Sequence, residues 1–145
     1  MRTRAPLLVS AAIIHRGGQV LVGQRRKGDR HSLKWEFPGG KVEPGETPQQ
    51  ALVRELREEL KIEAIIGTEL ARYEHDYASG SRVNLLFFSV DRFDGEPEAR
   101  AFEQICWTEL SSLPRLDFLE GDFDFVRRLA RGEFSRQLST RSAVL

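Results

Sequence analysis

Three glutamates, Glu55, Glu58 and Glu59, stand close together in the segment LVRELREEL. Residues three and four positions apart share one face of an α-helix, so a helix here would present the three carboxylates as one patch. Their repulsion would cost about 0.2–0.5 kcal/mol per pair on an isolated helix. A bound divalent cation would reverse that effect, and an all-oxygen set of ligands favours Mg²⁺ or Mn²⁺ over Zn²⁺.

The same spacing has an ordinary structural interpretation. The basic residues Arg54, Arg57 and Lys61 lie on the same segment and could pair with the glutamates, which would give a solvated charged face without a ligand. For helices rich in glutamate and arginine this is the commoner situation. The patch alone therefore leaves both interpretations open, and the surrounding residues have to be considered.

The residues before the patch predict where its helix begins. Thr47 is suited to the N-cap, Pro48 to the first helical position, and Gln50 completes a capping box. The preceding residues 37–47 are rich in glycine and proline, which predicts a loop rather than regular structure. Spacing along the helix predicts a buried stripe made of Leu52, Val53, Leu56 and Leu60.

Other patterns along the chain predict a mixed β-sheet between helices, in an α/β (α+β) fold. Apolar or β-branched runs predict strands at residues 7–14, 19–24, 64–73, 83–90 and 103–107. Helical spacing recurs in residues 121–130, and the basic segment 25–35 is predicted to be a surface loop. We expect one domain over residues 1–132 and a flexible tail over residues 133–145.

Composition excludes several classes of function. With 22 basic and 22 acidic residues the formal net charge is zero, so a nucleic-acid polymer is not an expected partner. The single cysteine, Cys106, cannot form an internal disulfide. The N-terminal apolar run is too short to cross a membrane and lacks a signal-peptide cleavage site, so we expect no membrane partner and a cytoplasmic location.

The segment from Gly40 to Ile62 resembles the Nudix box, whose pattern is G, five residues, E, seven residues, then R-E-U-x-E-E-x-G-U with U aliphatic. The matching residues are Gly40, Glu46, Arg54, Glu55, Leu56, Glu58, Glu59 and Ile62. Lys61 is the one departure, because it stands where the pattern has the glycine that ends the helix in a left-handed turn. A slightly strained or shifted helix end is therefore expected.

The stretches WEFPGGKVEPGET and DRFDGEPEA are similar to the MutT-type branch of the family, the nucleoside triphosphate pyrophosphohydrolases. This resemblance implies the Nudix α/β/α sandwich, and hydrolysis of a triphosphate to a monophosphate and pyrophosphate. It implies that Glu55, Glu58, Glu59 and the Gly39 carbonyl hold Mg²⁺. Glu46 would support or deprotonate the attacking water, and Arg54 would anchor a glutamate. Arg25 and Lys41 would meet the phosphates.

Many relatives carry a further glutamate six residues before the tryptophan that corresponds to Trp107. Here that position is Ala101, and Glu103 lies two residues further along. If this segment is a strand, both side chains point to one face, and Glu103 could replace the missing metal ligand. It could equally be a surface charge, so the identity of the general base stays open.

Two positions correspond to base-binding residues of the relatives, namely Phe37 and Asp122. An ionised Asp122 would only accept hydrogen bonds, which suits the N7–H of 8-oxoguanine or the amino group of cytosine. Its ordinary interpretation is the N-cap of the last helix. We expect 8-oxo-dGTP as the substrate, with CTP, ADP-ribose or another nucleotide sugar, and dinucleoside polyphosphates as alternatives.

A binding module that senses a nucleotide without cleaving it is the rival function. Such domains usually lose the carboxylates of the box, whereas Glu46, Glu55, Glu58 and Glu59 are all present here. A hydrolase that acts as a monomer or homodimer on a small nucleotide is therefore the prediction.

Overall fold

The computed structural model describes residues 6–138. Strands and helices alternate in the order expected for a mixed fold. Their bounds are β1 (Leu7–Arg16), β2 (Gln19–Gln24), β3 (Trp35–Glu36), β4 (Gly39–Lys41), α1 (Pro48–Leu60), β5 (Glu63–Asp76), β6 (Arg82–Asp94), β7 (Gln104–Glu109), α2 (Phe123–Ala130) and α3 (Ser135–Leu138).

A four-stranded mixed sheet in the order β4-β1-β6-β5 forms the centre of the molecule. Its middle pair, β1 and β6, is parallel, with Leu7 beside Val83, and both outer pairs are antiparallel. The far end of β1 also pairs with β2, where His15 lies beside Val20. On β2 a smaller antiparallel sheet is built with β3 and β7. The predicted mixed sheet is confirmed.

Apolar side chains alternate between two cores on opposite faces of the sheet. Ile13 and Phe87 belong to the core beneath α2, whereas Ile14 and Phe88 belong to the core beneath α1. Consecutive residues of a strand point to opposite faces, so a central strand covered on both sides is apolar throughout. The α/β/α arrangement is thus confirmed, and both phenylalanines serve packing.

Helix α1 begins as predicted. The Thr47 hydroxyl accepts a hydrogen bond from the Gln50 N–H at 3.1 Å, and the Gln50 side chain accepts one from the Thr47 N–H at 2.9 Å. One predicted member of the buried stripe is wrong, because Val53 is only half-buried and Ala51 is buried in its place. Val53 therefore lies at the edge of the buried face of the helix.

The end of α1 confirms the expectation for Lys61. This residue adopts the left-handed conformation, with φ 59° and ψ 38°. The helix end is then capped by a remote segment, since the N–H groups of Glu98 and Arg100 donate to the carbonyls of Leu60 at 2.9 Å and Glu59 at 3.1 Å. The left-handed turn of the Nudix box is therefore present, but a lysine adopts it and its backbone is strained.

Lys61→Gly is expected to stabilise the protein. Relief of the left-handed strain should raise the free energy of unfolding by about 0.5–1 kcal/mol after the entropy of glycine is subtracted. The Tm should rise by about 2–4 °C in a thermal melt. Lys61→Ala is the control, because it also removes the exposed pair with Glu98 at 3.7 Å but keeps the strain. An equal gain from alanine would contradict this explanation.

The loop predicted over residues 37–47 is wrong for its first part. Gly39–Lys41 forms β4, which pairs antiparallel with Val9–Ala11 of β1. At Gly39 a Cβ would lie 2.0 Å from the Ser10 carbonyl oxygen, and its φ is +151°. Glycine therefore permits the close approach of the two strands rather than marking a loop.

The flexible tail predicted from residue 133 also needs correction within the part that the structure describes. Phe134 is buried against Phe125, with ring centroids 5.2 Å apart. Ser135–Leu138 forms α3, and Leu138 packs on the same core. The folded domain therefore continues past residue 132. The rest of the predicted tail, residues 139–145, lies outside the described residues.

No helix within residues 6–138 is both long enough and apolar enough to cross a membrane.

Candidate active site

A cavity of about 530 Å³ opens between β1, β4, the β5–β6 turn, the loop of residues 25–34 and the start of α2. It brings together residues that lie far apart in the sequence. Among the predicted site residues, its lining includes Arg25, Phe37, Gly39, Lys41, Glu59 and Asp122. Glu36, Tyr77 and His31 line it as well.

Arg54 connects several residues of the Nudix box through hydrogen bonds. Its Nε and Nη2 donate to both oxygens of Glu46 at 2.7 and 2.9 Å, and Nη1 donates to Glu55 at 2.8 Å. Nη2 also reaches the Lys41 carbonyl at 3.1 Å, which ties α1 to β4. Glu58 lies further away, with its Oε2 3.6 Å from Nη1. The planar guanidinium fixes two carboxylates at once, as lysine could not.

Glu46 is held in place by Arg54. Hydrogen bonds from Arg54, with a further one from the Glu43 N–H, lower the pKa of Glu46 to about 2. A carboxylate that acidic is a weak proton acceptor near neutral pH. The geometry therefore favours the supporting role predicted for Glu46 over that of a general base.

Glu59 is half-buried beside two other carboxylates. Burial, followed by the negative charges of Glu55 and Glu36, raises the pKa of Glu59 to about 9, although the Gly39 N–H donates to it at 3.0 Å. Burial also raises the pKa of Glu55, against the opposing effect of Arg54. Crowded like charges of this kind are typical of a site that takes up a cation.

The donor chemistry of these glutamates fits a divalent cation that prefers oxygen ligands. Residues 6–138 nevertheless contain no group of three or more His, Cys, Asp or Glu side chains already converging on one point. Glu58 is the outlier of the three, with 60% of its side chain exposed. These carboxylates are therefore the type of ligand that such a cation prefers. The positive charge of the cation would offset the repulsion between Glu59 and the neighbouring carboxylates.

Gly40 explains why the box needs a glycine opposite the helix. A Cβ on Gly40 would lie 2.5 Å from the Glu55 carboxyl carbon. No side chain fits there unless Glu55 moves away from Arg54. Gly40 thus leaves the space in which the first predicted metal ligand sits.

Glu36 is a cavity carboxylate that the sequence reasoning missed. Burial raises its pKa, while Arg25, whose Nη1 donates to it at 3.2 Å, lowers it. Glu36 adds negative charge at both Glu59 and Asp122. No local signal marks this residue, because its surroundings come from the pairing of β3 with Gly23 and from the loop that carries Arg25.

Asp122 lies in the cavity wall and is 7% exposed. Asp122 occupies the N-cap position of α2, as its ordinary interpretation predicted. Its side chain makes no capping hydrogen bond, however, so capping does not explain its role. Burial, with a smaller effect of Glu36, raises the pKa of Asp122 to about 8. The group is therefore mostly protonated at neutral pH and can donate as well as accept, which corrects the expectation of a pure acceptor.

This pKa predicts a specific loss of stability at high pH. A folded pKa of about 8, above the ordinary aspartate value of 3.8, means that the folded state binds the proton more tightly. The stabilisation is complete below the unfolded pKa and disappears as the pH rises through the folded pKa. Between about pH 5 and pH 9, the Tm of the wild type should fall by several degrees relative to Asp122→Asn, measured by calorimetry. Parallel curves would contradict the assignment.

The remaining predicted substrate residues occupy different parts of the cavity. Phe37 is buried and packs edge-on against Phe87 and Phe125, with ring centroids 5.9 Å from each. Lys41 is exposed at the end of β4. Arg25 is held by Glu36 and by the Arg30 carbonyl, to which its Nε donates at 2.7 Å. Arg25 and Lys41 thus place positive charge in the cavity wall.

Glu103 is not placed as the strand argument predicted. Residues 101–103 form a bend, and β7 begins only at Gln104, so the period of two does not apply to Ala101 and Glu103. Phe102 between them is buried over Gly23. Glu103 accepts a hydrogen bond from the Lys27 N–H at 3.2 Å, and among the residues described it is not part of the cavity lining.

Comparison with known proteins bears on this arrangement. Residues 5–129 match the NUDIX domain family. The CTP pyrophosphohydrolase of Escherichia coli is 44% identical over 99 residues, which cover 68% of this chain and 73% of the relative. A putative 8-oxo-dGTP diphosphatase 2 of Mycobacterium tuberculosis is 38% identical over 124 residues, covering 86% and 88%. The solution structure of the E. coli ORF135 protein superposes with a TM-score of 0.79 at 35% identity, covering 90% of this chain and 92% of that protein.

Proposed function

Because the chain belongs to the NUDIX domain family and is a hydrolase of phosphorus-containing anhydrides, we propose that it converts a nucleoside triphosphate to a monophosphate and pyrophosphate. The observation that carries this proposal is that residues of the Nudix box reach the cavity. Glu59 lines the cavity and its carboxyl interacts with that of Glu55, which Arg54 holds together with Glu46.

The metal is proposed to be Mg²⁺, with Mn²⁺ able to replace it, held by Glu55, Glu58 and Glu59 together with the Gly39 carbonyl. Enzymes of this family generally use a divalent cation, and such an ion neutralises phosphate oxygens and lowers the pKa of a bound water. Glu103 is left out of this set, since its carboxylate accepts a hydrogen bond from the backbone N–H of Lys27.

The residues of the chain divide the remaining work. Water adds across one phosphoanhydride bond, which breaks to release the two products. Arg54 holds Glu46 and Glu55 in place, and Arg25 and Lys41 contribute positive charge for the polyphosphate. Among the glutamates of the patch, Glu59 is the one that lines the cavity, and the choice of general base lies between it and its neighbours in the patch.

We propose 8-oxo-dGTP as the substrate. Asp122 and Glu36 are carboxyl groups in the cavity, and Tyr77 and Phe37 supply aromatic surface beside them. An oxidised guanine presents an N7–H donor beside a C8 oxygen acceptor, and the ordinary base has neither group. A neutral Asp122 carboxyl can accept from the first and donate to the second, which favours the oxidised base. The putative 8-oxo-dGTP diphosphatase 2 matches most of the chain, in keeping with this choice.

CTP is the second candidate, and two observations favour it. The relative named CTP pyrophosphohydrolase is 44% identical, and the two carboxyl groups in the cavity could accept from the cytosine amino group. ADP-ribose, nucleotide sugars and dinucleoside polyphosphates have no such observation in their favour.

A nucleotide panel tests the proposal. Purified protein and Mg²⁺ are incubated with 8-oxo-dGTP, dGTP, CTP, dCTP and ADP-ribose, and the products are separated by chromatography. We expect pyrophosphate release from 8-oxo-dGTP well ahead of dGTP. Faster release from CTP would establish the second candidate, and binding without cleavage of any nucleotide would establish the sensing module. The cytoplasmic location and the monomer or homodimer stay predictions.

A further inference from the structure

The loop of residues 25–34 forms one wall of the cavity through Arg25, Arg30 and His31. It leaves β2 at Gln24 and returns at β3, and it is exposed along most of its length. His31 and Leu33 adopt positive φ values of 60° and 62°. Non-glycine residues in that region cost energy and persist only where neighbouring contacts hold them. Hydrogen bonds within the loop hold part of this shape, such as the one from the Leu33 N–H to the Arg25 carbonyl at 3.2 Å, and contacts from outside the loop hold the rest.

Contacts from outside the loop include those of residues 100–104, which lead into the start of β7. The Arg26 guanidinium donates to the Arg100 carbonyl at 2.6 Å, and the Lys27 N–H donates to Glu103 Oε1 at 3.2 Å. At the base of the loop, the Glu103 N–H donates to the Gln24 carbonyl at 2.8 Å. We name residues 100–104 the loop clamp.

The loop clamp also contacts the catalytic helix. The N–H of Arg100 donates to the carbonyl of Glu59 at 3.1 Å, while the carbonyl of Arg100 accepts from Arg26. One peptide segment thus joins the end of α1, where Glu59 lies, to the loop that forms the cavity wall. The loop clamp is therefore hydrogen-bonded to both sides of the cavity, the end of α1 and the 25–34 loop.

We propose that Glu103 is a positioning residue that fixes the 25–34 loop through the Lys27 N–H, so that Arg25 faces the bound nucleotide. Its carboxylate oxygen acts as a hydrogen-bond acceptor, and its negative charge is not required. This inference rests on the proposed function for its kinetic consequence, whereas the hydrogen bond itself can be tested without any substrate.

Two substitutions separate this role from metal binding. Glu103→Gln keeps an acceptor oxygen for the Lys27 N–H but removes the charge that a metal ligand needs. Glu103→Ala removes the acceptor altogether. With alanine the loop spends less time in its binding conformation, so KM should rise about three- to tenfold while kcat stays within about twofold. Glutamine should restore the wild-type KM.

Amide hydrogen exchange followed by NMR provides a readout besides activity. In Glu103→Ala the Lys27 amide should exchange at least about fivefold faster than in the wild type, because its acceptor is gone. Protection should be retained in Glu103→Gln. Glu109→Ala, at the other end of β7, is the matched control and should change neither KM nor exchange at Lys27.

Three results would overturn the inference. A kcat reduced at least about a hundredfold in Glu103→Gln, with Lys27 still protected, would make Glu103 a metal ligand. Unchanged exchange at Lys27 in Glu103→Ala would show that the hydrogen bond does not hold the loop, and an unchanged KM would show that the loop does not position substrate. If the wild type cleaves no triphosphate, the proposed function fails, and the exchange data still decide what holds the loop.

Discussion

Glu58→Gln should lower kcat at least about a hundredfold, measured as pyrophosphate release at saturating Mg²⁺ and nucleotide. The amide keeps the shape of the side chain but loses the charge that a divalent cation requires. The Tm should stay the same or rise slightly, because the exposed contact with Arg54 is weak and repulsion within the patch is reduced.

Glu63→Gln is the control for this variant. Its side chain is 57% exposed against 60% for Glu58, and it too pairs with an arginine of α1. Glu63 lies beyond the helix and outside the patch, so kcat should not change. Full activity of Glu58→Gln would remove Glu58 from the metal site, and equal losses in both variants would mean that surface charge alone is responsible.

Arg54→Lys should have the second large effect, a fall in kcat of at least about tenfold with a Tm lower by a few degrees. Lysine keeps the positive charge, but it cannot hold both oxygens of Glu46 and also reach Glu55 and the Lys41 carbonyl. Glu55 would then lose the partner that now offsets the effect of burial on its pKa. Kinetics and calorimetry on the same preparations would measure both effects.

Arg57→Lys is the matched control, on the same helix and three residues further along. The Arg57 side chain is 57% exposed and pairs only with Glu63 among the residues described, at 2.8 Å. A lysine there should change neither kcat nor Tm beyond error. If both lysine variants behave alike, the network around Arg54 does not organise the site.

The parts of the site that the sequence predicted depend on local chemistry. Thr47 and Gln50 cap α1 through atoms only three residues apart, and the positions of Glu55, Glu58 and Glu59 follow from helical spacing. The repeated apolar strands likewise encode the layers of the fold. Such features need no knowledge of where the rest of the chain lies.

The features that were missed depend on contacts between distant residues. Gly39–Lys41 becomes a strand because Ser10 and Ala11 offer a partner, and glycine composition alone indicates a loop. The protonation of Asp122 follows from its burial and from the nearby Glu36, neither of which is visible in its own segment. Phe134 stands in a polar stretch of sequence, and its burial follows from packing against Phe125 and the Arg128 guanidinium of α2.

Parallel pairing of β1 with β6 sets the order in which this molecule can assemble during synthesis. When α1 leaves the ribosome, β1 already offers Ala12 and Ile14, but Phe88 and Val90 of β6 have not yet emerged. Pairing across so long a stretch of chain is slow, because a large loop has to close first. The acidic helix is therefore only half covered until late in folding, and a nascent chain ending before β6 carries the complete Nudix box without a built catalytic centre.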